Sequence, residues 1–135
     1  MLDLFSGVGS FGLECLSRGA LSSTFFENYS YVLPILKKNI SLLNLEKNTD
    51  IFKKDIFEPN SLSNFKKKFE IIFLDPPYKE KRLDQLLKVL IKKNLLKRGG
   101  IFIIHRHKKD KDIFPSEFNI IKEKSYGISK IIFCK

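Results

Sequence analysis

The sequence has no tryptophan, one methionine and only two cysteines among its 135 residues. Cys15 and Cys134 lie far apart and outside any C-x-x-C motif or Cys/His cluster. This spacing argues against a disulfide framework and against a structural zinc site. No apolar run approaches the roughly 20 residues that a membrane span needs, and the first residues do not resemble a secretory signal. We therefore expect a cytoplasmic protein that binds no membrane and no metal.

Acidic residues are also scarce, because 15 Asp and Glu stand against 25 Lys and Arg, which gives a net charge of +10. This excess favours an anionic partner such as nucleic acid, although lysines that only maintain solubility would give the same balance. The hydrophobic content of 43% is too high for a disordered chain. The length predicts a single domain over residues 1–135, and we expect a monomer.

Apolar runs and amphipathic stretches alternate along the chain. Strands are predicted at residues 2–5, 24–26, 51–52, 71–74, 101–104, 118–121 and 131–133. Helices are predicted at residues 13–18, 29–45 and 83–91, with a short helix and a surface loop within 57–68 and a break at Gly99-Gly100. Strands that are apolar throughout, without alternation, and that are separated by helices are typical of a parallel sheet covered on both faces. The sequence thus predicts an α/β fold with a mostly parallel sheet and a C-terminal antiparallel hairpin.

A G-x-G-x-x-G motif, formed by Gly7, Gly9 and Gly12, lies between the first predicted strand and the first helix. In such motifs the first glycine permits a tight turn, the second lets a ligand approach the backbone, and the third allows helix–strand packing. Glu27 follows about 20 residues later, where a carboxylate accepts hydrogen bonds from a ribose. The pattern predicts a nucleotide-type cofactor and fits both NAD and S-adenosylmethionine, while a purely structural turn remains the alternative. Asp3 favours S-adenosylmethionine if it reaches a cationic amino-acid end, but it could equally brace the loop.

Asp75-Pro76-Pro77-Tyr78 follows the most apolar strand. In open α/β sheets, ligands bind beyond the carboxyl ends of the strands. The prolines fix the backbone and leave carbonyls that no helix absorbs, Asp75 adds a carboxylate, and Tyr78 adds a flat ring. These groups suit the exocyclic amino group of a stacked nucleobase, whereas the alternative is an ordinary turn.

These two motifs resemble those of a known enzyme group. Residues 2–12 (LDLFSGVGSFG) are similar to the S-adenosylmethionine loop of class I methyltransferases. Residues 75–78 resemble the (Asp/Asn)-Pro-Pro-(Tyr/Phe) motif of enzymes that methylate exocyclic amino groups. The chain as a whole resembles the RsmD family of bacterial 16S rRNA (guanine-N2)-methyltransferases. Further similarity lies at residues 12–20, 73–74, 99–100 and 126–127.

The resemblance implies a Rossmann-like class I methyltransferase fold, S-adenosylmethionine as cofactor, and ribosomal RNA or a small-subunit assembly particle as partner. It implies that Glu27 holds the cofactor ribose, that Asp55 accepts from the adenine amino group, and that Ile56 packs beside the ring. The implied cofactor residues are Asp3, Phe5, Gly7, Gly9, Gly12, Glu27, Asp55 and Ile56. The implied catalytic residues are Asp75, whose carboxylate holds the target amino group with the carbonyls of Pro76 and Pro77, and Tyr78, which stacks on the guanine.

The chain departs from the family in two ways. Family members carry a segment before the first strand, whereas Met1 falls at that strand here, so an N-terminally truncated fold is expected. The family often has an acidic residue after the fifth strand, where this chain has His105-Arg106-His107. We interpret His105 as a packing residue, because the sequence shows no partner that would make it a base.

Basic residues follow two of the predicted strands. They are Lys79, Lys81 and Arg82 after the Pro-Pro motif, and Arg106, Lys108 and Lys109 after the fifth strand. In a parallel sheet both loops lie at one edge, which predicts a basic rim for RNA phosphates. The alternatives are a DNA adenine-N6 methyltransferase, an NAD-dependent oxidoreductase, which would leave the Pro-Pro-Tyr unexplained, and a catalytically inactive truncated fragment.

Overall fold

A computed structural model describes residues 1–63 and 65–135 and divides the chain into two compact units, Met1–Asn64 and Phe65–Lys135. The first unit contains a parallel sheet, two α-helices and one short 3-10 helix. Its elements are β1 (Leu2–Asp3), α1 (Ser10–Ser17), β2 (Ser23–Phe26), α2 (Leu33–Leu42), the 3-10 helix Glu46–Asn48 and β3 (Thr49–Phe52). Strand β2 pairs in parallel with both β1 and β3. The single domain predicted from the chain length stays a prediction.

The core of the first unit forms around Phe25 of β2, which is fully buried. Leu13 and Leu16 of α1 and Leu36 and Ile40 of α2 pack against it. Helix α2 begins at Leu33, four residues after the predicted start, and has Pro34 in its first turn. Proline is tolerated there because the first N–H groups of a helix have no partner within the helix.

The second unit combines a parallel strand pair with an antiparallel hairpin. Its elements are β4 (Phe69–Leu74), α3 (Leu83–Lys92), β5 (Leu96–His107), β6 (Ile120–Tyr126) and β7 (Ser129–Cys134). Strands β4 and β5 are parallel, whereas β7 runs antiparallel to both β5 and β6. Helix α3 buries the leucine stripe that its sequence periodicity predicted. Parallel pairs joined through helices and a terminal antiparallel hairpin confirm the predicted α/β class.

Several features differ from the sequence prediction. The predicted break at Gly99-Gly100 is wrong, because both glycines lie inside β5. A Cβ on Gly100 would lie 2.9 Å from the carbonyl oxygen of Glu70 on β4, so a glycine is needed for this close strand approach. Strand β6 extends to Tyr126 through exposed polar residues that carry no apolar pattern. Among the described residues of 57–68 there are turns and no helix.

Within residues 1–63 and 65–135, no helix has the length and the apolar content needed to cross a membrane. Both cysteines are at least partly buried and serve as small packing residues. Burial raises the pKa of the Cys134 thiol to about 12, and burial also raises the pKa of Cys15. Thiolates are therefore scarce at neutral pH at both positions.

Candidate functional site

The glycine motif forms a loop between β1 and α1 that rests on the core of the first unit. A Cβ on Gly9 would lie 2.4 Å from Cδ1 of the buried Leu36, and a Cβ on Gly12 would lie 2.3 Å from Cε1 of Phe25. Gly12 thus has the predicted packing role. Gly9 faces the core, whereas Gly7, at φ +52°, has no atom within 4 Å of a Cβ position. Gly9 therefore has a packing role toward Leu36 and Gly7 borders open space, while the predicted approach of a ligand at the second glycine stays a prediction.

Glu27, the residue that follows β2, holds this loop by its carboxylate. Oε2 accepts a hydrogen bond from the Gly7 N–H at 2.7 Å, and Oε1 accepts one from the Tyr29 N–H at 2.8 Å. The side-chain amide of Asn39 supports the loop from α2 by donating to the Val8 carbonyl at 2.9 Å. A carboxylate oxygen can accept more than one hydrogen bond, so Glu27 can brace the loop and still accept from a ligand hydroxyl.

Asp55 follows β3, the strand next to β2, so it lies at the same carboxyl edge as Glu27. Its Oδ1 accepts from the Phe57 N–H at 2.9 Å, and its carbonyl accepts from the Ser61 hydroxyl at 2.5 Å. These bonds fix a partly exposed carboxylate next to Ile56, which is buried.

The remaining predicted cofactor residues lie at the start of the loop. Asp3 is buried in β1, and its carbonyl accepts from the Ser6 hydroxyl at 2.9 Å. The ring of Phe5 is half-buried and lies 6.0 Å from the ring of Phe57. The carboxylates of Glu27 and Asp55, these apolar groups and the open space at Gly7 fit a nucleoside that carries a diol and an exocyclic amine.

In the second unit, the Asp75–Tyr78 segment leaves the carboxyl end of β4 with Asp75, Pro77 and Tyr78 exposed and Pro76 buried. The Pro77 carbonyl accepts from the Glu80 N–H at 2.8 Å and from Nη1 of Arg106 at 3.4 Å. Both lone pairs of this oxygen are thus used within the chain. A role of the Pro77 carbonyl in holding the target amine stays a prediction and competes with these two bonds, and the carboxylate of Asp75 and the Pro76 carbonyl are the other predicted acceptors.

His105, at the end of β5, contacts the motif directly. Its Nδ1 lies 2.7 Å from Oδ1 of Asp75, and its ring is largely buried, with 22% of the side chain exposed. The Tyr78 ring meets the rings of His105 and His107 at steep angles, 70° and 81°, with centroids 6.5 and 5.7 Å away. Our interpretation of His105 as a packing residue therefore missed a polar partner, because the sequence does not show which residues the β4–β5 pairing brings together.

The predicted basic rim for RNA requires an exposed Arg106, but the structure buries this residue. Its side chain is 4% exposed, and its Nε donates to both oxygens of Asp112 at 3.0 and 3.2 Å. Nη2 donates to the Glu80 carbonyl at 3.1 Å. Arg106 thus ties the loop after β4 to the loop after β5, and this burial removes it from the proposed RNA contacts.

The other predicted RNA-binding residues are exposed at the carboxyl ends of β4 and β5. Arg82 forms a two-pronged ion pair with Glu80, at 2.8 and 2.7 Å, and these hydrogen bonds lower the pKa of the Glu80 carboxyl. Lys79 and Lys81 line a cavity of about 420 Å³ together with Tyr78 and Lys111. Lys108 and Lys109 are exposed in the neighbouring loop. The two basic loops therefore lie at one end of the parallel pair, as the sequence predicted.

Known proteins are similar to this chain in both sequence and fold. The family model described as Conserved hypothetical protein 95 matches residues 1–135. Ribosomal RNA small subunit methyltransferase D of Haemophilus influenzae is 33% identical over 94% of this chain and 66% of its own length. The protein of the same name from Buchnera aphidicola is 34% identical over 91% of this chain and 63% of its own length. The chain thus spans about two thirds of these relatives.

A solved structure of a conserved hypothetical protein from Streptococcus pyogenes superimposes with a TM-score of 0.88 at 29% identity. The superposition covers 98% of this chain and 82% of that one. The sequence match extends over the whole chain, and the fold is the Rossmann-like α/β fold of methyltransferases. The chain therefore belongs to the family of conserved hypothetical protein 95, which is the RsmD family of methyltransferases.

Proposed function

We propose that this chain transfers a methyl group from S-adenosylmethionine to the exocyclic N2 amino group of a guanine in 16S ribosomal RNA. The observation that carries the proposal is the Asp75–Tyr78 segment, in which an exposed carboxylate and an exposed aromatic ring follow a buried strand. The names of the relatives from H. influenzae and B. aphidicola support the small-subunit RNA as substrate.

In the proposed reaction, Asp75 and the Pro76 carbonyl accept the two N–H groups of the amine. The lone pair of such a nitrogen is delocalised into the base, so orienting the N–H groups restores its nucleophilic character. The cofactor supplies an electrophilic methyl group: a nitrogen–carbon bond forms, and the carbon–sulfur bond breaks with its electrons left on sulfur. The carboxylate of Asp75 accepts the proton that the nitrogen loses. Most of the rate enhancement comes from positioning.

Tyr78 supplies the proposed stacking surface for the target base, since its side chain is 52% exposed. Contact with His105 and His107 restricts the ring before the base arrives. A preoriented ring reduces the entropy that binding has to lose.

The proposed cofactor contacts lie in the first unit. Glu27 accepts from the ribose hydroxyls, Asp55 accepts from the adenine amino group, and Ile56 and Phe5 contact the adenine ring. Gly7 leaves the backbone open to the ligand, while Asp3 supports the loop from beneath through its carbonyl bond to Ser6.

The test incubates the protein with methyl-labelled S-adenosylmethionine and with 30S particles, naked 16S rRNA or duplex DNA. Label in N2-methylguanosine from an RNA arm is the expected result. We expect Asp75→Ala to lower kcat at least 100-fold, about 3 kcal/mol of lost transition-state stabilisation, while affinity for S-adenosylhomocysteine stays within threefold. Label in N6-methyladenine of the DNA arm would favour the alternative enzyme. Absence of S-adenosylhomocysteine binding by calorimetry would overturn the proposal and favour an inactive fragment.

A further inference from the structure

The contact between His105 and Asp75 is a short polar contact that joins the Asp75–Tyr78 segment to strand β5. It joins residues 30 positions apart, across the carboxyl ends of β4 and β5. His105 occupies a fixed register position, opposite Ile131 of β7, and only 22% of its side chain is exposed, compared with 43% for Asp75. The imidazole is therefore the more constrained partner of the two.

The chemistry of the pair decides where the proton lies. An ionised carboxylate has acceptor sites but no proton to donate, so a 2.7 Å contact with Nδ1 requires the proton on that nitrogen. In a neutral imidazole, the bond made by one nitrogen sets the state of the other. His105 is thus expected as the Nδ1–H tautomer.

His107, two residues further along β5, provides an internal contrast. Its Nδ1 accepts a hydrogen bond from the Lys109 N–H at 3.1 Å. An accepting Nδ1 carries no proton, so the proton of a neutral His107 lies on Nε2. The two histidines of this chain are therefore expected in opposite tautomers.

We propose that His105 is a positioning residue for methyl transfer, which holds the Asp75 carboxylate through an Nδ1–H···Oδ1 hydrogen bond and directs Oδ2 toward the target amine. This inference rests on the proposed function. Without the bond, Asp75 lies on an exposed segment and samples several rotamers. Fixing one rotamer in advance places the acceptor at the amine without further ordering.

Two substitutions separate this role from a packing role. Asn at position 105 places an amide N–H donor on the same Cγ position as Nδ1, whereas Leu has a similar branch and no donor. We expect His105→Asn to keep kcat within about threefold and His105→Leu to lower it at least 30-fold. Affinity for S-adenosylhomocysteine and KM for RNA stay within threefold in both, because the bond acts on the transition state. Equal kcat values for the two variants would overturn the inference.

A spectroscopic measurement tests the hydrogen bond without any activity assay. The imidazole nitrogens of the ¹⁵N-labelled protein are recorded by long-range ¹H–¹⁵N correlation at pH 8.5, about two units above the ordinary pKa of imidazole. The two histidines are assigned with His107→Gln. We expect Nδ1–H for His105 and Nε2–H for His107, and loss of the Nδ1–H preference of His105 in Asp75→Ala. An Nε2–H tautomer of His105 in the unmodified protein would contradict the inference.

The kinetic comparison and the tautomer measurement together distinguish a failure of the positioning role from a failure of the proposed function. If RNA is methylated and His105→Asn and His105→Leu behave alike, the positioning role is wrong and the proposed function stands. If no substrate is methylated, the proposed function fails, and the tautomer measurement still decides whether His105 donates to Asp75. If His105→Leu does not fold, the His105→Ala variant with imidazole added to the assay takes its place, and recovery of kcat by imidazole is the expected result.

Discussion

At the scale of single residues, the structure shows which groups of each motif face the protein core and which face open space, and sequence spacing alone does not show this. In the G-x-G-x-x-G motif, a Cβ on Gly9 would point at Leu36, whereas Gly7 borders open space. The Pro77 carbonyl, a predicted acceptor for the substrate, accepts hydrogen bonds from Glu80 and Arg106 within the chain. Spacing identifies the loop, but the surroundings of each group depend on the elements packed against it, which are helix α2 at Gly9 and strand β5 at Pro77.

Gly7→Ala should separate cofactor binding from folding. Its φ of +52° costs an L-residue about 1 kcal/mol, and the new methyl group meets no atom within 4 Å other than those of the adjacent residues in the chain. The methyl group would instead occupy space that we assign to the cofactor. We expect a loss of about 1 kcal/mol in the free energy of unfolding in urea and at least a tenfold loss of S-adenosylhomocysteine affinity by calorimetry.

Gly19→Ala is the matched control, because Gly19 also has a positive φ, +96°, and open space around it, but lies outside the loop. It should show a comparable loss of stability with unchanged cofactor affinity. Equal affinities of the two variants would show that the space at Gly7 is not used by the cofactor.

Strand β5 and the loops around it carry the parts of the site that sequence patterns did not reveal. Its polar end, His105 to His107, continues the pairing with β7 as far as Ser129. Arg106 then joins the two loops at that end through Asp112 and through the carbonyls of Pro77 and Glu80. The Asp75–Tyr78 segment is thus held from β5 by both a histidine and an arginine.

Arg106→Leu should destabilise the second unit. It leaves Asp112, whose side chain is 7% exposed, as a buried carboxylate without its cation, a change that typically costs about 3–5 kcal/mol. The measurement is the free energy of unfolding in urea. The double variant Arg106→Leu with Asp112→Leu should recover most of this loss, because the buried carboxylate of Asp112 is then absent as well. A single variant as stable as the unmodified protein would contradict the role of Arg106 as a link between the loops.

The fold was predictable from the sequence where an element carries a regular pattern of apolar residues. The predicted ends of the buried strands β2 and β4 and of helix α3 with its leucine stripe differ from the observed ends by no more than two residues. The extension of β5 to His107 and the extension of β6 from Ile121 to Tyr126 were not predicted, because neither segment carries a simple apolar pattern. Similarly, the motifs indicated Asp75 and Tyr78, but the hydrogen bond of His105 depends on strand register, which a single sequence does not show.

Across the whole chain, the positive charge is concentrated in one unit. Residues 65–135 contain 19 Lys and Arg against eight Asp and Glu, whereas residues 1–64 contain six against seven. The residues proposed to bind the cofactor thus lie in a nearly neutral unit, and those proposed to contact RNA lie in the basic one. An excess confined to one unit favours phosphate binding over general solubility as its explanation.

Reversing Lys108 and Lys109 to Glu should weaken RNA binding and flatten its dependence on salt. Each lost phosphate contact removes about 0.7–0.9 from the slope of log K against log salt, so the pair should lower the slope by about 1.5. Filter binding of a 16S rRNA fragment across a series of KCl concentrations measures both quantities.

Lys66→Glu with Lys68→Glu is the control of equal charge change. These lysines are exposed ahead of β4, at the opposite end of the parallel pair from Lys108 and Lys109. Their reversal should leave the salt slope nearly unchanged. If both double variants reduce the slope equally, the affinity comes from overall charge and not from the basic loops.

The two hydrogen bonds that the Pro77 carbonyl accepts have a consequence for the number of methyl groups transferred to one amine. With that oxygen bound by Glu80 and Arg106, the segment offers one carboxylate and one carbonyl, which match the two hydrogens of an unmodified amine. A product that already carries one methyl group has a single hydrogen left and would leave one of these acceptors without a donor, at a cost of about 1–3 kcal/mol. Mass spectrometry of the modified nucleoside should therefore find monomethylated guanosine and essentially none of the dimethylated form.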